Sequence, residues 1–170
     1  APIAMIQFNP VQPTLASASW DHTVRIWDLF HGKAATETLE HNTDIVALAY
    51  RPDGKELCTS TIDGQLSFWD VEEGSLVNTI EGRKDIAGGR RVDDVRAASS
   101  SSWGQYFNSI AYTADGSCVL VGGNSKYTCI YDRQSNVLLK KFQISHNRYV
   151  FFLSTSITRM ACWSYSTART

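Results

Sequence analysis

The sequence has no CxxC pair, and its four cysteines, Cys58, Cys118, Cys129 and Cys162, stand 60, 11 and 33 residues apart. That spacing supports neither a zinc ribbon nor a redox dithiol. Three of the four fall in alternating apolar segments, where cysteine packs as a small hydrophobe, and reduced thiols of a cytosolic or nuclear compartment are expected. No unbroken apolar run exceeds six residues, Ile45 to Tyr50, against roughly 20 for a bilayer span, so no membrane partner is expected. The opening Ala1-Pro2-Ile3 has neither the basic nor the apolar region of a secretory signal, and it lacks an initiator methionine, which suggests a fragment or a processed chain. Neither sign of charge dominates: 16 Lys and Arg face 17 Asp and Glu, a formal charge of −1. A polyanion would have to be met by a local patch. A hydrophobic content of 43% over 170 residues excludes a wholly disordered chain and suffices for one sizeable core.

Catalytic signatures are also missing. There is no GxSxG elbow, HExxH, Walker loop or GxGxxG. The four histidines, His22, His31, His41 and His146, include no two at metal-ligand spacing on one strand face. Ser19, Asp21 and His22 lie close together, but the repeat described next maps Asp21 onto Asp63, whose neighbour is Gly64, so the trio reads as turn chemistry. No catalytic residue, metal, cofactor or small-molecule substrate is expected.

What the chain does have is an internal repeat. Trp27-Asp28 recurs as Trp69-Asp70, an offset of 42 that also maps Asp21 onto Asp63, Phe8 onto Tyr50, Ile6 onto Leu48 and Pro10 onto Pro52. A third copy follows at an offset of 62, mapping Tyr50 onto Tyr112, Asp53-Gly54 onto Asp115-Gly116 and Trp69-Asp70 onto Tyr131-Asp132. The excess of 62 over 42 is a 20-residue insertion between Gly82 and Phe107. Each copy reads as four short strands. In the second, Ile45 to Tyr50 is apolar throughout, Arg51-Pro52-Asp53-Gly54 is a turn, Glu56 to Thr61 is a strand, and Asp63-Gly64 signals a hairpin. Leu66 to Trp69 and Ser75 to Ile80 complete the unit. Helix is predicted to be close to nil. Four strands per 42-residue period is the pattern of a β-propeller blade.

Ser19-Trp-Asp-His-Thr-Val-Arg-Ile-Trp-Asp28 and Thr61-Ile-Asp-Gly-Gln-Leu-Ser-Phe-Trp-Asp70 resemble WD repeats. The resemblance implies an all-β fold of WD-repeat β-propeller blades, about three of them, each four-stranded and antiparallel. It also implies a buried hydrogen-bonded set: His41, Thr59 or Thr61, Asp63 and Trp69 in the second copy, and Ser17 or Ser19, Asp21 and Trp27 in the first, whose histidine would precede residue 1. The third copy departs from the pattern, with Ser125 for Asp, Tyr131 for Trp and no histidine, so it is expected to be held by packing more than by a polar network. The set is read as structural, because a buried carboxylate is costly unless hydrogen-bonded.

The organisation expected is three blades within residues 1–145 (3–40, 45–82 and 107–144), a loop insertion over 83–106, and a tail over 146–170 that fits no blade. Three blades do not close a ring, so part of a larger propeller is expected, with two copies forming a six-blade ring as the alternative. The insertion carries five basic and three acidic residues, and Gly88-Gly89 with Ser99 to Ser102 argue for a loop on the rim. Arg83, Lys84, Arg90 and Arg91 are its candidate RNA or partner contacts, although no aromatic interleaves them for base stacking.

Residues 81–90 (EGRKDIAGGR), 51–56 (RPDGKE), 16–21 (ASASWD) and 138–142 (LLKKF) resemble one family of eukaryotic nucleolar proteins with tandem WD propellers and a helical C-terminal domain. The resemblance runs over about residues 1–147. It implies a nuclear, nucleolar, non-catalytic scaffold in ribosome biogenesis, a subunit of the UTP-B subcomplex of the small-subunit processome. Its partners would be other protein subunits of that ribonucleoprotein. Direct contact with pre-rRNA or small nucleolar RNA is the first alternative, and a WD adaptor reading a peptide motif is the second.

Overall fold

The structure, a computed structural model, describes residues 1–30, 35–86, 106–125 and 127–144. The expected strands are there. The first repeat forms β1 (Ile3–Phe8), β2 (Thr14–Ser19), β3 (Thr23–Asp28) and β4 (Ala35–Glu40). The second forms β5 (Ile45–Tyr50), β6 (Glu56–Thr61), β7 (Gln65–Asp70) and β8 (Leu76–Glu81). The third forms β9 (Phe107–Tyr112), β10 (Cys118–Gly123), β11 (Tyr127–Asp132) and β12 (Leu138–Gln143). Each repeat is its own four-stranded antiparallel meander, so among the described residues strand pairing is between sequence neighbours. Leu57 faces Trp69 across the second sheet as Leu15 faces Trp27 across the first, and Val119 faces Tyr131 in the third. The two tryptophans therefore hold equivalent places in successive sheets.

The sheets stack through their first strands, β1 on β5 and β5 on β9, as propeller blades do around an axis. One core fills the seam between sheets one and two, where Ala16, Val24 and Leu39 meet Leu48, Leu57 and Trp69. A second fills the next seam, where Ala47, Leu66 and Phe68 meet Phe107, Val121 and Tyr131. Burying one such large apolar side chain contributes about 1.5–3 kcal/mol, so the seams hold the stack.

The repeat also exposes what the stack lacks. Leu48, Tyr50 and Val71 are 0%, 5% and 6% exposed because sheet one covers them. Their counterparts 42 residues earlier, Ile6, Phe8 and Leu29, are 58%, 62% and 48% exposed. Sheet one thus presents the face that sheet two buries, and the three sheets form part of a propeller.

One turn carries a backbone cost, and one segment differs from the sequence reading. The turn that uses Gly64 at φ 82° in the second sheet is made by His22 at φ 67° in the first, a conformation glycine adopts at far lower cost. The insertion does not begin as loop. Arg83–Ile86 is one turn of helix, α1. The amides of Asp85 and Ile86 bond the Gly82 carbonyl, and Ile86, 1% exposed, joins the core of the second seam. A buried apolar anchor fixed what composition alone suggested was free. The rest of the insertion to residue 105, and the tail, lie outside the described residues.

Candidate functional site: the inter-sheet polar sets and the insertion end

The residues expected to form one hydrogen-bonded set divide into two groups. In the second sheet the Trp69 indole N–H lies 3.1 Å from His41 Nε2 and 3.3 Å from Thr59 Oγ1, and those two atoms are 2.8 Å apart. An indole nitrogen only donates, so His41 Nε2 accepts and Nδ1 carries the proton, which it directs at the Leu39 carbonyl 3.3 Å away. Burial holds the ring down to about pKa 4, with nearby Asp63 opposing the shift, and His41 is neutral at physiological pH. Asp63 makes a different group. It accepts from the Thr61 hydroxyl and from the Gln65 amide at 3.3 Å. No hydrogen bond joins Asp63 to His41 among the described residues, and Asp63 is only half-buried. A carboxylate that kept partial water and its own turn amide did not need the imidazole.

The first sheet repeats this division. Trp27 Nε1 donates to Ser17 Oγ at 2.9 Å, while Ser19 Oγ accepts from the Asp21 amide at 3.3 Å. Asp21 is exposed, and its bonds to Thr23, the hydroxyl first, hold it below the usual carboxylate range. In the third sheet Ser125 Oγ accepts from the Tyr127 amide at 3.2 Å, a turn contact of the kind Asp21 and Asp63 make. The third repeat is expected to be held by packing more than by a polar network, and Tyr131 does join the packed core of the second seam. It also donates its hydroxyl to Asp85 Oδ2 at 2.7 Å, and burial with that bond pushes the phenol up.

Other polar contacts cross the seams without having been foreseen. Asn9 Nδ2 donates to the Gly54 carbonyl at 2.9 Å, and Ser60 Oγ to the Phe107 carbonyl at 2.9 Å. Glu56 Oε1 accepts from Arg133 Nε at 2.7 Å and from Tyr112 OH at 2.8 Å, joining sheet two to sheet three. The sequence does not mark these partners: Glu56 stands at the head of β6, where the repeat-equivalent positions hold Thr14 and Cys118.

The connection between β8 and β9 places Arg83 and Lys84 beside the turn of Asp63 and Gly64. Asp63, Gly64, Gln65, Glu81, Arg83 and Lys84 line an open cleft of about 320 Å³ there. Two carboxylates face two cations across it. Lys84 Nζ is 2.9 Å from Glu81 Oε2, and this exposed pair raises the lysine above its ordinary value. The cleft is therefore charge-balanced, while residues 83–86 by themselves carry two cations and one carboxylate. Arg90 and Arg91 lie outside the described residues. The second tract of this kind, at the opposite end of the sheets, is lined by Arg51, Glu56, Asp115, Ser117, Asp132 and Arg133, again of mixed sign.

Comparison with known families matches residues 2–28 to the family described as WD domain, G-beta repeat. Residues 22–88 match the anaphase-promoting complex subunit 4 WD40 domain. Among individual proteins, the chain is 53% identical over 147 residues to periodic tryptophan protein 2 of Arabidopsis thaliana, covering 86% of this chain and 16% of that protein. It is 53% identical over 146 residues to the Schizosaccharomyces pombe homologue, covering 86% of this chain and 17% of that protein. Against the Saccharomyces cerevisiae protein it is 41% identical over 146 residues, 86% of this chain and 16% of that protein. The chain thus spans about a sixth of the length of these relatives.

Proposed function

From the premise that this chain is a run of WD-repeat blades closely resembling periodic tryptophan protein 2, we propose that it is part of a non-catalytic propeller scaffold in ribosome biogenesis. On this reading it docks protein subunits within the small-subunit processome, in the nucleolus, and so supports maturation of the small-subunit rRNA. The observation that carries the reading is the 53% identity over 147 residues, a stretch long enough to take in the insertion as well as the three repeats.

The placement of the polar side chains supports a scaffold. The polar hydrogens of Trp69 and Tyr131 are taken up by His41, Thr59 and Asp85, and His41 and Thr59 are further engaged by the Leu39 and Ser67 carbonyls, so these groups serve one another and the backbone. The insertion end favours a protein partner over RNA. Phosphate binding draws its strength from unpaired cations that release counterions, and Lys84 is already paired with Glu81.

The experiment is affinity capture of the full-length protein from cell extract, with washes at low and at physiological salt. Processome proteins should stay bound at both, since apolar docking is little screened. Capture without any small-subunit processome protein refutes the reading. Crosslinking with Arg83, Lys84, Arg90 and Arg91 all changed to Ala separates the RNA alternative: loss of RNA crosslinks at unchanged protein capture would favour it.

A further inference from the structure

We infer that α1, the root of the insertion, is a strap that closes the seam between the second and third sheets, supplying to Tyr131 the contact that His41 supplies to Trp69. The two rings are repeat-equivalent, 62 residues apart. Each donates its polar hydrogen to a side chain from the connection that precedes its own sheet. His41 stands between β4 and β5, and Asp85 between β8 and β9. The third repeat has no histidine for this place, and the insertion brings a carboxylate to it.

Three further contacts fix α1 there. Ile86 is 1% exposed in the seam core. The Lys141 ammonium, from β12, donates to the Asp85 carbonyl and sits 3.9 Å from the Tyr127 ring centre. Phe107, at the start of β9, lies against Gly82 so closely that a Cβ on that glycine would stand 2.3 Å from the ring. Phe107 in turn meets Tyr131 edge to face, centroids 6.5 Å apart. Residues 82–86 are therefore gripped by β9, β11 and β12 together. A partner that pulls on the insertion pulls on this seam. The strap goes beyond the scaffold proposal and does not depend on it.

Hydrogen exchange of the full-length protein tests it, with Tyr131→Phe, Asp85→Ala and the double variant. Each single should speed exchange of the β9–β12 amides about tenfold, the loss of one charge-assisted hydrogen bond, with β1–β4 unchanged. The double should lose no more than the larger single, because one contact is being removed twice. Additive losses, or singles that change nothing, overturn the strap. Should a variant not fold, the unsubstituted protein decides. The Ile86 amide, bonded to the Gly82 carbonyl, must exchange as slowly as the amides of β11; exchange at an unprotected rate refutes the proposal.

Discussion

Replacing Arg133 by Met should destabilise the protein by about 2–3 kcal/mol, far more than loss of a surface ion pair. Glu56 and Arg133 side chains keep only 11% and 12% of their exposure, and the Arg133 guanidinium also lies 4.4 Å from the Phe68 ring centre. Breaking a buried pair from one side costs about 3–5 kcal/mol, because the remaining charge has neither partner nor water. Two features lower that figure here. Glu56 keeps the Tyr112 hydroxyl, and methionine preserves much of the apolar stem that packs at the seam. An exposed pair of the same kind contributes only about 0–1 kcal/mol. The companion change, Glu56→Leu with Arg133→Met, removes both charges but leaves the Tyr112 hydroxyl without its acceptor, and should recover only part of the loss. Urea unfolding midpoints at constant m-value measure all three. A cost under about 0.5 kcal/mol for Arg133→Met would mean that the pair is solvated, and that the seam does not depend on it.

Acid should weaken the protein through His41. Its ordinary pKa is 6.5 and its folded value about 4, so the unfolded chain binds the proton first as pH falls. Stability is complete above about pH 6.5 and declines by up to about 1.4 kcal/mol per pH unit towards pH 4, about 3 kcal/mol in all. Melting temperature against pH for the protein and for His41→Asn should run in parallel above pH 6.5 and converge below it; parallel curves throughout would contradict the burial argument. His22→Gly should raise stability by about 0.5–1 kcal/mol by relieving the φ of 67°, seen as a higher melting temperature, and a fall would show that the Asp44 contact outweighs the backbone cost. Asp63→Ala removes the acceptor of Thr61 and of the Gln65 amide at a half-buried site and should cost about 1 kcal/mol, without loss of partner capture per folded molecule. An unchanged melting temperature would mean that water replaces the carboxylate there at no cost.

The sequence alone determined the strands and the order in which they pair. Ile45 to Tyr50 and Glu56 to Thr61 were readable as strands because apolar content, turn residues and hairpin signals act within a few residues of one another, and a repeat states them more than once. Pairing between neighbours then follows from short connections. The place of the two tryptophans was legible for the same reason. Even the expected polar set was half visible, since residue types at fixed repeat positions named its members; which hydroxyl served the ring and which the turn carboxylate was not.

Only the tertiary structure decided the contacts across the seams. Asn9 meets Gly54 across 45 residues of chain, Asp85 meets Tyr131 across 46, and Glu56 meets Arg133 across 77. No local preference encodes these partners, because they are set by how one sheet lies on the next and by which polar groups the packing leaves without water. The root of the insertion belongs to the same class. Arg83–Ile86 looks like loop by composition, and it becomes helix because the seam between two sheets has room for Ile86 and an open hydroxyl for Asp85.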